Sequence, residues 1–174
     1  VTLTAVDNLS TSLEIYYTTN GQTPSSYSTL YTEPISITAD TTLKFIAIDD
    51  AGNISSVQCE TYIMDTTLPT VTADPVAGLY NNTQTVTLTA TDNLDTNLDI
   101  YYTLDGTTPT TTSTLYTSPL TIDATTTLMF IAVDDAGNLS YVQTEVYTID
   151  TGVPVVSSNI GTGVFGDSQT VILT

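Results

Sequence analysis

The chain repeats itself at an interval of about 85 residues, and this repeat limits what it can fold into more than any other feature. Residues 1–5 recur unchanged as residues 86–90, and in part again at residues 171–174. The turn sequence of residues 49–53 recurs as residues 134–138. Because the offset is constant, with no insertion or deletion, each interval encodes the same folding unit. We expect the 174 residues to be a window cut from a longer tandem array.

Each repeat carries the signals of short strands. Residues 86–90 alternate apolar and hydroxyl side chains with period two, as a half-buried strand does. Residues 128–133 are more continuously apolar, and residues 142–149 alternate again. Turn formers such as Asp105-Gly106 separate these runs, and no segment has helical periodicity. About seven short strands in each interval predict an all-β fold of tandem immunoglobulin-like β-sandwich repeats.

Two linkers that end in proline, at Pro69 and Pro154, set the predicted boundaries. Residues 1–65 form a repeat that lacks its first strand, and residues 66–150 form a complete repeat. Residues 151–174 supply the first strand and the start of the second strand of a third repeat. A sandwich without its edge strand exposes unpaired backbone groups. Either preceding residues of a longer chain or another copy of this chain, by strand addition, can fill that gap.

The charge balance excludes several functions. Nineteen acidic side chains face a single basic one, there is no histidine, and the formal net charge is −18. Nucleic-acid binding and adhesion to anionic lipid both need basic residues. Zinc sites and serine triads lack their histidine. No apolar run is long enough to span a bilayer, so we expect no membrane insertion in this segment, and we expect no catalysis. The 40 % apolar content indicates a folded chain.

Three runs of the second repeat carry a family resemblance: Ile100-Tyr-Tyr-Thr-Leu-Asp-Gly-Thr-Thr-Pro109, then Leu115-Tyr116 with Pro119, then Ala132-Val-Asp-Asp-Ala-Gly-Asn138. The sequence resembles the immunoglobulin-like domain named after the C-terminal domain of chitobiase, also called the fibronectin-III-associated repeat. The first repeat departs at Asn20, where the pattern has aspartate. The resemblance implies an accessory or stalk module of extracellular enzymes and of adhesin-like surface proteins of bacteria and archaea, without catalytic residues.

Acidic and amide side chains are predicted to meet at one end of the complete repeat, where two loops and the incoming linker arrive. With almost no basic residue to offset them, such carboxylates repel one another unless they splay into water or hold a cation between them. Calcium prefers these oxygen ligands. The same residue types also suit tight turns without any metal. The predicted ligands of a calcium ion at the joint are Asp65, Asp92, Asn93, Asp95, Asp134, Asp135 and Asn138.

Two further kinds of surface site are open from the sequence. The adjacent Tyr101 and Tyr102 place one ring inward and one outward on a strand, and the outward ring is a candidate for stacking on a sugar. Four Asn-x-Ser/Thr sequons are candidate glycosylation sites in an exported protein: Asn8, Asn53, Asn81 and Asn138. A glycan attached to Asn138 and a calcium ion bound by it would exclude each other, so these two predictions compete at this residue. The lone Cys59 aligns with Thr144, which favours a small half-buried side chain over a reactive thiol.

The function that these observations favour is a structural spacer, stalk or filament segment of an extracellular, cell-surface protein built from tandem repeats. Its partners would be the neighbouring repeats of the same array. The alternative is a carbohydrate-binding accessory module of a secreted enzyme or adhesin, with cell-surface glycans as its ligands.

Overall fold

The computed structural model describes residues 1–173, which divide into two compact units, Val1–Thr66 and the residues from Thr67 onward. Every regular element in these residues is a β-strand, which confirms the predicted all-β fold. No helix among the described residues is long and apolar enough to cross a bilayer.

The second unit is a sandwich of two sheets. A three-stranded sheet has the order β10-β7-β5, and a five-stranded sheet has the order β6-β12-β11-β8-β9. All pairs are antiparallel except β6 with β12, which is parallel. The strands are β5 (Thr70–Asp74), β6 (Gly78–Tyr80), β7 (Gln84–Thr91), β8 (Asp99–Thr103), β9 (Thr114–Leu115), β10 (Leu120–Ile122), β11 (Thr126–Val133) and β12 (Gln143–Ile149).

The core of the second unit lies between these sheets and follows from the alternation of the strands. Along β7 the apolar residues Val86 and Leu88 are buried while the threonines that alternate with them are exposed. They pack against residues of the facing sheet, among them Phe130 and Tyr147, which are fully buried. Threonine suits this fold because its branched side chain packs well on a pleated surface, as where Thr70 and Thr91 pair their hydroxyls at 2.9 Å across β5 and β7.

The first unit repeats one of these sheets. Its strands are β1 (Leu13–Thr18), β2 (Thr29–Leu30), β3 (Thr41–Asp49) and β4 (Gln58–Tyr62), in the order β2-β1-β3-β4. This order matches β9-β8-β11-β12 of the second unit. The buried core is smaller, with Leu3, Ile35 and Leu43 at its centre.

Residues 1–5 do not form the strand that their alternation predicts. Only the backbone of Val1 pairs with Ile35, through hydrogen bonds of 2.6 and 2.8 Å. The identical residues 86–90 lie within β7, where β5 and β10 pair with the two edges of the strand. Residues 1–66 contain no counterpart of β5, so the same sequence lacks half of its backbone partners and remains irregular.

Residues 151–173 are grouped with the second unit and form no extended strand. Ser158 forms an isolated bridge with Leu173, and the amide of Asn159 donates to the carbonyl of Ile172. In the second unit, Ala73 pairs with Leu88, which is the same pairing one repeat earlier. The bridged residues therefore have the register of β5 with β7, and the assignment of the segment to a third repeat stays a prediction.

Candidate functional site

Two loops of the second unit bring three carboxylates together. Asp92 and Asp95 follow β7, and Asp134 follows β11. One carboxylate oxygen from each lies within 4.8 Å of the others. Asp134 is 5 % exposed, and the other two are half-buried. We call these three residues the acidic cluster.

Asp134 is held by the tight turn that follows it. Its two carboxylate oxygens accept hydrogen bonds from the backbone and side-chain nitrogens of Asn138, at 2.7 and 2.8 Å. Gly137 completes the turn with a φ of 89°, a conformation that only glycine adopts without strain. Burial is the largest single influence and acts to raise the pKa of Asp134, but the hydrogen bonds from Asn138, Gly137 and Ala136 together outweigh it, so the pKa lies below its ordinary value. The carboxylate is therefore charged at neutral pH.

The loop after β7 orients the other two carboxylates. Asp92 accepts a hydrogen bond of 3.0 Å from the amide of Leu94, and Asp95 accepts one of 2.9 Å from the amide of Asp135. In the orientation that satisfies its neighbours, the side-chain nitrogen of Asn93 donates to Asp92 at 2.9 Å. The bond between Asp95 and Asp135 joins the two loops directly. The Asp135 side chain is exposed, so this residue joins the two loops through its backbone amide and not through its carboxylate.

The acidic cluster offers only oxygen donors and negative charge, which are what a hard cation such as calcium prefers. Calcium binding by the cluster stays a prediction. Asp65, which the sequence also suggested as a ligand, belongs to the first unit, where it is half-buried. Its part in a cation site stays a prediction as well.

The first unit has a similar pair of loops with one fewer carboxylate. Asp49 accepts hydrogen bonds of 2.7 Å from both the backbone and the side chain of Asn53, as Asp134 does from Asn138. The side-chain bond from Asn53 is the largest influence that lowers the pKa of Asp49. Ser10 stands where the second unit has Asp95, and its hydroxyl donates to Asp50 at 3.2 Å. The turn is therefore common to both units, but the three-carboxylate arrangement is not.

The paired tyrosines lie as the alternation of a strand predicts. Tyr102 packs against the buried core, opposite Phe130 on β11. Tyr101 lies on the other face, and its hydroxyl is 3.4 Å from the carboxylate of Asp99. A surface depression of about 410 Å³ lies beside Tyr102 and is also lined by Asp105 and Ser113. Neither ring is fully exposed.

The four sequons fall into two groups. The amides of Asn53 and Asn138 donate to the carboxylates of Asp49 and Asp134, so both are engaged in turns. Asn8 and Asn81 have exposed side chains in loops. Glycosylation stays a prediction, and the geometry favours the second pair. Cys59 is exposed on β4 rather than half-buried, as is its counterpart Thr144 on β12.

Several structural roles lie outside what the sequence analysis assigned. The hydroxyl of Tyr147 donates to the carbonyl of Pro75 at 2.6 Å, and the hydroxyl of Tyr116 accepts from the amide of Leu88 at 3.1 Å. The buried Ser140 accepts a hydrogen bond of 2.9 Å from the amide of Ala132, as Ser55 does from Ala47 in the first unit. A serine recurs at this position in both repeats, and that recurrence is the sequence signal from which its structural role could have been predicted.

The solved structures that are similar to the chain include two that contain several modules or domains. The chain is similar to fibronectin(III)-like modules of CbhA from Clostridium thermocellum, with 17 % identity, a TM-score of 0.41 and coverage of 83 % of this chain and 82 % of that one. It is also similar to domains 7, 8 and 9 of the S-layer protein SbsC, with 16 % identity, a TM-score of 0.25 and coverage of 84 % and 54 %. No protein among the curated sequences compared with the chain matches it.

A family model matches the chain in both units, over residues 1–59 and 75–144. These two stretches contain the tyrosine pairs, the turn glycines and both aspartate–asparagine turns described above. Together they cover well over half of the chain, and they confirm the resemblance inferred from the sequence. The chain belongs to the chitobiase/beta-hexosaminidase C-terminal domain family.

Proposed function

We propose that the chain is a non-catalytic structural segment, a spacer or stalk, of an extracellular surface protein built from tandem repeats. The observation that carries this proposal is what the repeated polar residues do. In both units the aspartate of the repeated turn binds the asparagine four residues later, with distances of 2.7 to 2.8 Å. The repeated serines bind the neighbouring backbone. The residues that recur thus stabilise each unit.

Most of the tyrosines that recur at the same position of both units support the same proposal, whereas Tyr101 lies on the face away from the core. Tyr17 and Tyr102 pack against the cores of their units, as do Tyr31 and Tyr116. A module that binds a ligand through its repeated aromatic residues would leave them on the surface. The exposed faces instead carry threonine and acidic side chains, which keep such a segment dissolved.

Single-molecule stretching of the full chain tests the mechanical role. We expect force to unfold the two compact units in separate events, with Phe130→Ala weakening the event of the second unit and leaving that of the first unchanged. A matched Thr121→Ala change on the exposed face of β10 serves as the control. Unfolding without resistance in the unmodified chain would contradict the proposal.

Carbohydrate binding is the second candidate, and the depression beside Tyr102 is the observation that favours it. Titration of soluble glycans into the full chain, monitored by calorimetry, distinguishes the two functions. Saturable binding that is lost in Tyr101→Ala or Tyr102→Ala, and retained in Tyr141→Ala, would favour the accessory module. Hydrolysis of any glycan by the chain would contradict both candidates.

A further inference from the structure

The turn that follows β1 contains Asn20-Gly21, the one asparagine–glycine pair in the sequence. Both residue types suit tight turns, and Gly21 has a φ of 76°, a conformation that a residue with a side chain adopts only with strain. The pair is also chemically labile, because glycine leaves its backbone nitrogen open to attack the side chain of the preceding asparagine. The turn therefore needs two residues that react readily with each other.

Hydrogen bonds hold both reacting groups in the folded turn. The backbone nitrogen of Gly21 donates to the carbonyl of Thr42 on β3 at 3.0 Å. The side-chain oxygen of Asn20 accepts from the amide of Gln22 at 3.1 Å, and the hydroxyl of Thr18 donates to the carbonyl of Gln22 at 2.6 Å. The Asn20 side chain is exposed, so water reaches it. Hydrogen bonds rather than burial therefore keep the nitrogen of Gly21 from the side chain of Asn20.

The same turn of the second unit carries an aspartate in place of the asparagine. Asp105 forms a parallel bridge with Thr127, as Asn20 does with Thr42, and Gly106 also has a φ of 76°. The carboxylate of Asp105 accepts hydrogen bonds from the amide and the hydroxyl of Thr107, at 3.0 and 2.6 Å. The turn therefore accommodates an aspartate at this position without a change of shape.

The aspartate of the second unit is also the less reactive of the two side chains. The hydrogen bond from the Thr107 hydroxyl is the largest influence that holds the pKa of Asp105 below its ordinary value. Its carboxylate is therefore charged at neutral pH, and a charged carboxylate resists attack by a nitrogen. Asn20 has an uncharged amide, so the first unit carries the labile version of the turn.

We propose that Asn20 is a deamidation site, which the folded turn protects and which reacts when the turn opens. The backbone nitrogen of Gly21 then attacks the side-chain carbonyl carbon of Asn20, and the new bond closes a succinimide ring. The bond from that carbon to the side-chain nitrogen breaks, and ammonia leaves with the proton of the Gly21 amide. Water opens the ring at either carbonyl, which leaves aspartate or isoaspartate and adds one negative charge.

The two products differ in how they fit the turn. Aspartate gives the first unit the residue that Asp105 is in the second, so the bridge to Thr42 is retained. Isoaspartate carries the main chain through the former side chain, so the backbone becomes one atom longer. The nitrogen of Gly21 then no longer meets the carbonyl of Thr42, and the end of β1 is weakened.

Opening of the turn sets the rate of the reaction. The nitrogen of Gly21 must first leave the carbonyl of Thr42, and the loss of one such hydrogen bond shifts an equilibrium by up to about tenfold. Any condition that weakens the first unit opens the turn more often. The extent of conversion at Asn20 therefore records how often the first unit opens, whether or not the chain serves as a spacer.

Peptide mapping of the full chain by mass spectrometry tests the proposal. Lys44 is the single basic residue, so trypsin releases residues 1–44 as one peptide. At neutral pH we expect Asn20 to gain the mass of an amide-to-carboxylate conversion about tenfold more slowly in the folded chain than in urea. Asn8, which precedes leucine in the same peptide, is the internal control and should convert far more slowly in urea than Asn20. Asn20→Gln should remove the mass gain.

A matched pair of core variants tests whether opening of the first unit controls the rate. Leu43→Ala and Leu128→Ala remove a fully buried side chain from the same position of the first and second units. Leu43→Ala should accelerate conversion at Asn20, whether it weakens or unfolds the first unit, and Leu128→Ala should leave the rate unchanged. Equal rates in the folded chain and in urea, equal acceleration by both variants, or no conversion at Asn20 in urea would overturn the inference.

Discussion

The ring of Tyr147 stacks on the ring of Tyr80, with centroids 6.2 Å apart and planes inclined by 27°. The contact joins β12 to β6, the short strand that continues the chain after β5 leaves the opposite sheet. Burial is the largest cause that raises the pKa of Tyr147 to about 12, so its hydroxyl keeps its proton and donates to Pro75. The side chain of Tyr147 therefore anchors the segment that connects β5 to β6, and so connects the two sheets, to the core.

Replacing Tyr147 measures how much its hydroxyl stabilises the second unit. We expect Tyr147→Phe to lower the free energy of unfolding of the second unit by about 1 kcal/mol, because a buried hydrogen bond is lost and the carbonyl of Pro75 is left without its donor. Urea unfolding, monitored through the NMR signals of amides in each unit, measures this loss of stability. Tyr62→Phe is the matched control, since residues 1–66 contain no counterpart of Pro75. Equal losses in both variants would contradict the interpretation.

A second matched pair measures how complete each core is. Phe130 is fully buried, so Phe130→Ala should cost about 3–5 kcal/mol in the second unit. Phe45 lines an apolar surface groove beside residues 4–6 and is half-buried, so Phe45→Ala should cost clearly less in the first unit. Denaturant melts of both variants, each compared with the unmodified chain, give the two values. A larger loss for Phe45→Ala would show that the first unit is as closed as the second.

Acid should destabilise the second unit through Asp134. Its ordinary pKa is 3.8 and its pKa in the folded chain is lower, so the carboxylate stabilises the fold above the ordinary value. This contribution is lost as the pH falls through 3.8 toward the folded pKa. Between about pH 6 and pH 3, the melting temperature should therefore fall less steeply for Asp134→Asn than for the unmodified chain. Parallel curves would exclude Asp134 as the source. Asp123→Asn, outside the acidic cluster, is the control.

Calcium should raise the melting temperature of the second unit if the acidic cluster binds it. Millimolar calcium is compared with a chelator in calorimetric scans of the full chain. Asp95→Ser converts the cluster to the composition of the first unit, where Ser10 stands at this position, and should abolish the shift. Asp50→Ser, in the first unit, should leave it unchanged. Identical scans with calcium and with chelator would remove the cation from the description of this site.

The alternation of the strands and the repeated turns predicted much of the fold, because both are local signals. The period of two placed Val86 and Leu88 inside, and the repeated sequence of residues 134–138 forms a turn in which Gly137 has a positive φ. Residues 1–5 show the limit of such signals. Their sequence is identical to that of residues 86–90, yet they lack a strand because a strand also depends on its neighbours.

The candidate site was predictable only in part. Asp92 and Asp134 recur in the first unit as Asp7 and Asp49, so the repeat itself drew attention to both loops. The hydrogen bond between Asp95 and Asp135 joins residues forty positions apart, and no local pattern encodes it. The same applies to the bond from Tyr147 to Pro75, because it depends on β5 and β6 belonging to different sheets.

The bridge between Ser158 and Leu173 also bears on how such a chain folds as it is synthesised. The two residues are close in sequence, and they meet in the register that Ala73 and Leu88 have in the second unit. A contact between residues so close in sequence closes only a short loop, so it can form early in folding without waiting for distant strands.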